Sequence, residues 1–422
     1  MYRALTLFSA LFAAVFCFGM GNGLLNSQLS LRMTLEGFST LVTGLILTCY
    51  FIGLLCGYFL CHRLIERVGH IRAFAAFAAL GTALVLLHSL YISAIFWALL
   101  RFFTGIIVFG LFMVIESWLN ECADDRNRGR VFSIYMILTY LALGIGQQFL
   151  NLSSVTGPAL FSVAALLISL SLVPVAASAA VHPQLPRHER YTFRTMFQKA
   201  PLGMLGCMMA GLLNSAFYAL MPVVGIQIGL TVFRISWLMT STILGGLAIQ
   251  WMIGVLSDRV DRSLILLNTG ILISLSSALI AALIGFGSGN SYPLLLVEMG
   301  CFGGLLFTIY PVSVARAYDL FAPEDSVAVS AALLLWYSIG AICGPIAASL
   351  LITALKSPLG LFVHWSAFSA LFVAITIYLR HQERIAHVPV ADQVDFIPLG
   401  KTSPVAMVID PRAQVPPPSG TP

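Results

Sequence analysis

Long apolar runs separated by short polar breaks dominate this chain. They fall at 4–25, 40–60, 73–91, 94–117, 131–152, 158–180, 201–226, 235–256, 264–286, 292–315, 328–354 and 358–380. Each is close to the ~20 residues that an α-helix needs to cross a hydrocarbon core about 30 Å thick. The pattern therefore predicts an all-α membrane protein with twelve transmembrane helices. The first run is long, its leading segment is only Met-Tyr-Arg, and no small-x-small cleavage site follows, so it reads as a span and not as a cleaved signal peptide.

Composition agrees with the pattern. Hydrophobic residues make up 59% of the 422 residues and charged residues 9%, against roughly 25% charged in a soluble domain. Such a chain cannot cover a water-facing surface, and lipid is its solvent. The eight cysteines lie mostly inside apolar runs without CxxC spacing, which predicts packing residues and no metal site or disulfide frame. No P-loop, HExxH or GxSxG element occurs, so neither nucleotide-driven pumping nor hydrolysis is expected; the chain reads as no enzyme, with no cofactor.

The few charges set the orientation. With the N-terminus placed in the cytoplasm, Arg32, Arg234 and Lys356 fall outside and Arg101 falls within a span, while the other eighteen Lys and Arg lie on the cytoplasmic side. Positive charge is retained on the inside, so both termini are expected to be cytoplasmic. The net charge of +5 is then a topology signal and carries no nucleic-acid message.

The connection at 181–200 holds two prolines and four basic residues and splits the spans six and six. The expected organisation is a bundle at 1–180, this cytoplasmic linker, a second bundle at 201–380, and an unstructured cytoplasmic tail at 381–422 that ends in VPPPSGTP. The halves share landmarks. ERVGHIR (Glu66–Arg72) answers GVLSDRVDR (Gly254–Arg262) at an offset of 192, YFIG at 50 answers ILGG at 243, and GLFMVIES at 110 answers GLLFTIYP at 304. The pentapeptide GLLNS also recurs, at 23 and 211, but its offset of 188 is four to six residues out of step. Duplication rests on the loops, and the pentapeptide match is partly luck.

Twelve spans, a six-plus-six split and two acid-Arg-x-x-basic loops make the chain resemble the major facilitator superfamily. Gly254, Asp258, Arg259 and Arg262 fall on the family's loop pattern, as do Glu66, Arg67, Gly69 and Arg72; Asp261 stands where a second Gly is usual and His62 where a leading Gly is usual. The run Glu116–Arg130 is similar to the family's exit from the fourth helix, with Arg128 in it. GNGLL, RVGHIR and ESWLN together resemble the bacterial YcaD-like subgroup.

The resemblance implies two pseudo-symmetric six-helix bundles, with the first and fourth helices of each lining a central cavity and the bundles rocking about it. Ionisable groups inside a membrane are functional candidates by default. Arg101 in the fourth span and Glu298 in the tenth are expected to serve the cavity, with Glu298 carrying a coupling proton and Arg101 holding an anionic group or the Glu298 carboxylate. Glu116 lies fifteen residues from Arg101, roughly 60° around the helix, and is read as a gate beside Arg67 and Arg128, with proton carrier as the alternative role. Glu66, Arg67, Gly69, Arg72, Gly254, Asp258, Arg259 and Arg262 read as conformational latches. Asn22 and Asn26, and Asn214 and Tyr218, are i, i+4 pairs that could bond a solute or glue helices together. Gln147 and Gln148 read as glue, and His88 and His364 as interfacial.

The reading is a monomeric, proton-coupled secondary transporter of a small organic solute in a bacterial inner membrane, whose partners are the solute, protons and lipid. Export of amphipathic compounds is an alternative; the missing Pro in the fifth span (GIGQQ, 144–148) departs from the antiporter pattern. A non-transporting membrane sensor is the alternative from another class. Single cysteines placed at Glu66 and Asp258 in a cysteine-free background are expected to react with membrane-impermeant maleimide from the cytoplasmic side only; labelling from opposite sides would rule the topology out.

Overall fold

The computed structural model describes residues 2–123, 128–177, 193–285, 292–321 and 326–381, and residues 388–390, 393 and 396 of the tail. Met1, most of the linker and most of the tail lie outside the described residues. In lipid, every backbone N–H and C=O must be satisfied within the segment that carries it, so apolar runs of this length have one solution, the helix. The helices are α1 (Tyr2–Leu35), α2 (Thr40–Val68), α3 (His70–Leu90), α4 (Ala94–Cys122), α5 (Arg128–Gln148), α6 (Ala159–Leu170), α7 (Leu172–Ala176), α8 (Phe193–Lys199), α9 (Pro201–Gln227), α10 (Val232–Ser257), α11 (Arg262–Gly285), α12 (Tyr292–Tyr318), α13 (Ser326–Leu355) and α14 (Gly360–His381). Among the described residues twelve segments are long and apolar enough to cross a membrane, the sixth being α6 continued through α7. Among the described residues there is no strand.

Packing repeats between the halves. In the first, α1 lies on α5, α2 on α4, and α3 on α4 and α6; in the second, α9 lies on α13, α10 on α12, and α11 on α12 and α14. The broadest contacts between the halves are α2 with α13, its pseudo-symmetric mate α5 with α10, and α1 with α9. One departure from this symmetry shapes the interior. Helix α9 runs broadly along α12, whereas its counterpart α1 barely touches α4. Room is left on the α4 side, and α9 is the most enclosed span, with 89% of its apolar window buried.

Lipid tails are as apolar as Leu, so side-chain greasiness cannot pull these helices together; close van der Waals approach over small residues does. A Cβ on Gly53 of α2 would sit 2.0 Å from the Phe102 carbonyl oxygen of α4, and one on Gly105 would sit 2.1 Å from that of Tyr50. The GLLNS copies use the same device. Gly23 lies against the Leu143 backbone of α5 and Gly211 against the Tyr337 carbonyl of α13. The next residues with positive φ, Gly37 and Gly229, close α1 and α9. Ser27 precedes its closing glycine by ten residues and Ser215 by fourteen, a difference of about one helical turn. The copies therefore present the same face to equivalent helices at different depths, and the four-residue mismatch is that turn.

Two local expectations change. His88 and His364 are fully buried inside the bundles and are not interfacial; His88 stacks with Phe161 and meets the Leu84 carbonyl at 2.7 Å. Phe396, in the tail expected to be unstructured, packs its ring on Gly254 and donates its backbone N–H to Asp258 Oδ1 at 2.8 Å.

Replacing Gly105 with Val forces α2 and α4 apart and is expected to cost about 1–3 kcal/mol, seen as a lower melting midpoint in detergent. Gly144→Ala, whose new Cβ meets nothing nearer than Leu244 Cδ2 at 3.4 Å, should leave the midpoint unchanged.

Candidate functional site

A cavity lies between the halves, with room for the centres of water-sized molecules over about 160 Å³. Its walls come from α1, α2, α4 and α5 of the first half and from α9 and α13 of the second; α12 contributes none of the lining, since it is packed along α9. Most of the wall is aromatic or aliphatic. The polar atoms are those of Asn22, Asn26, Arg101, Thr139, Ser338 and five tyrosines besides Tyr135: Tyr50, Tyr58, Tyr140, Tyr218 and Tyr337.

Arg101 is the cation of this site. It is 2% exposed, donates from Nη2 to Asn26 Oδ1 at 3.0 Å, and lays its guanidinium over the Tyr50 ring at 4.3 Å from the centroid. Asn22 accepts from Asn26 at 3.5 Å, one turn along α1. The i, i+4 spacing thus does what helical geometry allows: two amides on one face, one of them fastening Arg101. Tyr218 lines the cavity from α9; Asn214 is buried one turn away, beside Tyr337, and does not line it.

Glu298 is elsewhere. It is half-buried between α12 and α11, where Ser276 donates to its carboxylate at 2.5 Å. Arg101 and Glu298 are not brought together. The carboxyl that reaches the cavity wall is Glu116. It is fully buried in α4 and accepts from the Tyr135 hydroxyl at 2.6 Å, and Tyr135 lines the cavity. The sequence placed Glu116 near the cytoplasmic rim; the link through Tyr135 was not visible because it depends on how α5 turns against α4.

The loops expected to latch are unequal. In the first half Glu66 pairs with His62 at 3.1 Å, Arg67 and Arg72 are exposed, and Gly69 caps α2 at φ 84°. The Arg128 side chain lies outside the described residues. In the second half Arg262 is fully buried, bonding Asp258 at 3.0 Å and also Asp319, while Arg316 approaches Asp319 at 3.9 Å. Arg259 is exposed. Sequence reading missed Asp319 and Arg316, which lie outside the loop motif. Asp261 explains its departure from the family glycine. It caps α11, accepting the Ser263 amide and hydroxyl at 2.8 Å each and Arg380 at 3.1 Å. Burial pushes its carboxyl pKa up, but these hydrogen bonds and the Arg380 charge outweigh that and hold it below the usual carboxylate range. Its contribution to stability is present above the unfolded value and is lost as pH falls through the folded one.

Polar contacts also tie the halves on the side opposite these loops. Gln148 donates to Thr240 Oγ1 at 2.6 Å, Asn151 to Ser236 Oγ at 3.0 Å, and Thr240 to the Gly144 carbonyl at 2.9 Å. Gly44 of α2 meets Ser349 and the Pro345 carbonyl of α13 so closely that a Cβ there would fall 2.8 Å from Ser349 Cβ. Among the described residues no cluster of His, Cys, Asp or Glu suits a metal ion.

The model of the Major Facilitator Superfamily matches residues 11–231 and 203–409. The chain belongs to this superfamily. It is a membrane transporter and not an enzyme. It is 27% identical over 381 residues to the uncharacterized MFS-type transporter YE1530 of Yersinia enterocolitica, covering 89% of this chain and 96% of that one. With the uncharacterized MFS-type transporter YcaD of Escherichia coli it shares 30% identity over 373 residues, 86% of this chain and 94% of that one. Among solved structures it superposes on the nucleoside transporter NupG with a TM-score of 0.70 at 13% identity, over 92% of this chain and 100% of the other. That likeness carries the MFS fold alone.

Because Gly44 lets the far ends of α2 and α13 close, Gly44→Val is expected to hold them apart. In a cysteine-free background carrying Ser338→Cys, a membrane-impermeant maleimide added from outside should label the cavity faster with Gly44→Val than without it. Equal rates would remove this contact from the closure.

Proposed function

We propose that this MFS protein is a proton-coupled secondary transporter of a small organic solute, working by alternating access as a monomer in a bacterial inner membrane with both termini cytoplasmic. The observation that carries this reading is the cavity itself. It sits where both halves meet, its wall is mostly apolar, and the amides and the guanidinium among its polar groups converge from α1 and α4. A pocket shared between two rigid bodies changes its exposure when the bodies rock. Contacts at Gln148, Asn151, Ser236, Thr240 and Gly44 close the outer side in the conformation described, and the charged loops at 66–72 and 254–262 act on the inner side.

Proton coupling is assigned to Glu116. A carboxyl enclosed between helices can shed its charge by binding a proton when the helices around it rearrange. Glu116 is joined to the cavity through Tyr135, so solute and proton can sense one another. Glu298, the carboxyl favoured by sequence, is held by Ser276 away from the lining and is the comparison. The aromatic wall also suits export of amphipathic compounds, the second reading. A sensor would have no use for a buried cation in a solute-sized cavity.

The test is uptake into proteoliposomes with and without an imposed proton gradient, over a panel of metabolites and drugs. Wild type is expected to accumulate at least one solute only with the gradient. Glu116→Gln should lose accumulation but keep solute exchange at zero gradient, and Glu298→Gln should keep both. Accumulation that persists in Glu116→Gln removes that residue from coupling.

A further inference from the structure

Among the described residues no carboxylate pairs with the charge of Arg101. It lies within the membrane-crossing part of α4, at 2% exposure. One terminal nitrogen has Asn26, whereas Nε and Nη1 are buried with no hydrogen-bond partner among the described residues. Its other neighbour is the face of Tyr50. The lining contains no Asp or Glu, and Glu116 of α4 and Glu298 of α12 are engaged by Tyr135 and Ser276. A guanidinium offers five donors in a rigid fork that matches a carboxylate. A buried ion without a counter-ion is strongly unfavourable, and one retained on a cavity wall calls for an anion from outside.

The rest of the wall says what that anion carries. The same lining includes Phe51, Phe109, Phe112, Met136 and Leu334 together with its tyrosines. Such a wall binds an apolar or aromatic body and gives no second cation for a second negative charge. Inorganic anions would leave it unused.

We infer that the solute is a monoanionic organic acid, its carboxylate seated on Arg101 beside Asn26 and its apolar, preferably aromatic, body against the tyrosine and phenylalanine wall. This rests on the transporter reading above and names its substrate class. Asn22 and Asn26 then have distinct tasks. Asn26 orients the guanidinium, and Asn22 holds Asn26.

The experiment uses the purified full-length protein in carboxylate-free buffer with chloride held constant. Thermal unfolding is followed with phenylacetate, benzoate and hexanoate, with neutral phenylacetamide and cationic phenethylamine as controls, and with added chloride as the inorganic arm. Wild type is expected to be stabilised by at least one of the acids and by none of the other probes. Arg101→Gln should bind that acid about tenfold more weakly or worse, and Arg101→Lys should recover part of the loss. Asn26→Asp supplies the missing counter-charge from within; it should melt higher than wild type without ligand and lose the response to acid, a readout that a misfolded variant cannot imitate. Stabilisation by the neutral, cationic or chloride arm, no response to any of the acids, or an unchanged response in Arg101→Gln each overturns the inference. The same proteins go into proteoliposomes. Acid binding without uptake leaves the anion site standing and removes transport; uptake of a solute from the panel that is indifferent to Arg101→Gln leaves transport standing and removes the anion site.

Discussion

Hydrocarbon offers no hydrogen bonds, and the rest of this structure follows from that lack. Each apolar run must close its own backbone bonds and becomes a helix. Once helical, the runs have no hydrophobic reason to prefer one another over lipid. What selects their neighbours is the distance at which two backbones can meet, and that is set by missing side chains. Gly53 and Gly105 bring α2 onto α4, and Gly211 and Gly340 bring α9 onto α13, each with its Cα under a carbonyl of the facing helix. These tight pairs make the stiff units, and the looser contacts between halves are left to move.

The two halves are copies that have been used differently. On one side α9 and α12 have closed against each other; on the other α1 and α4 have stayed apart and both line the cavity between the halves. That difference decides the fate of the ionisable residues. Arg101 on α4 meets open space and an amide. Glu298 on α12 lies outside the cavity lining and accepts from a serine of α11. A pseudo-two-fold axis gives two equivalent scaffolds, and only the first of them puts an ionisable side chain other than tyrosine in the cavity lining.

The sequence made the large features legible because they depend on length and sign. Run length gave the spans, the Arg and Lys bias gave an expected orientation, and the loop motifs gave the duplication and the family. Asn22, Asn26 and Arg101 were readable because a polar residue in an apolar run stands out, and helical spacing put the two amides on one face. What stayed hidden was rotation about helix axes. Nothing in the string VEMGC says that Glu298 turns toward α11, nor that Tyr135 would reach Glu116. Asp319 and Arg316, which complete the Arg262 network, lay beyond the motif that drew attention to the loop. The one-turn displacement between the GLLNS copies looked like chance because offsets measure sequence, whereas helices match by face.

The seat of Phe396 on Gly254 and Asp258 has a practical side. Among the described residues the first half has no such clasp: His62 and Glu66, the counterparts of Gly254 and Asp258, pair with each other. Trimming the chain after His381 to aid crystallisation would bare an apolar notch at the end of α10 and free an acceptor on Asp258. A reporter domain added past residue 422 would keep both covered, so the two handling strategies deliver different molecules.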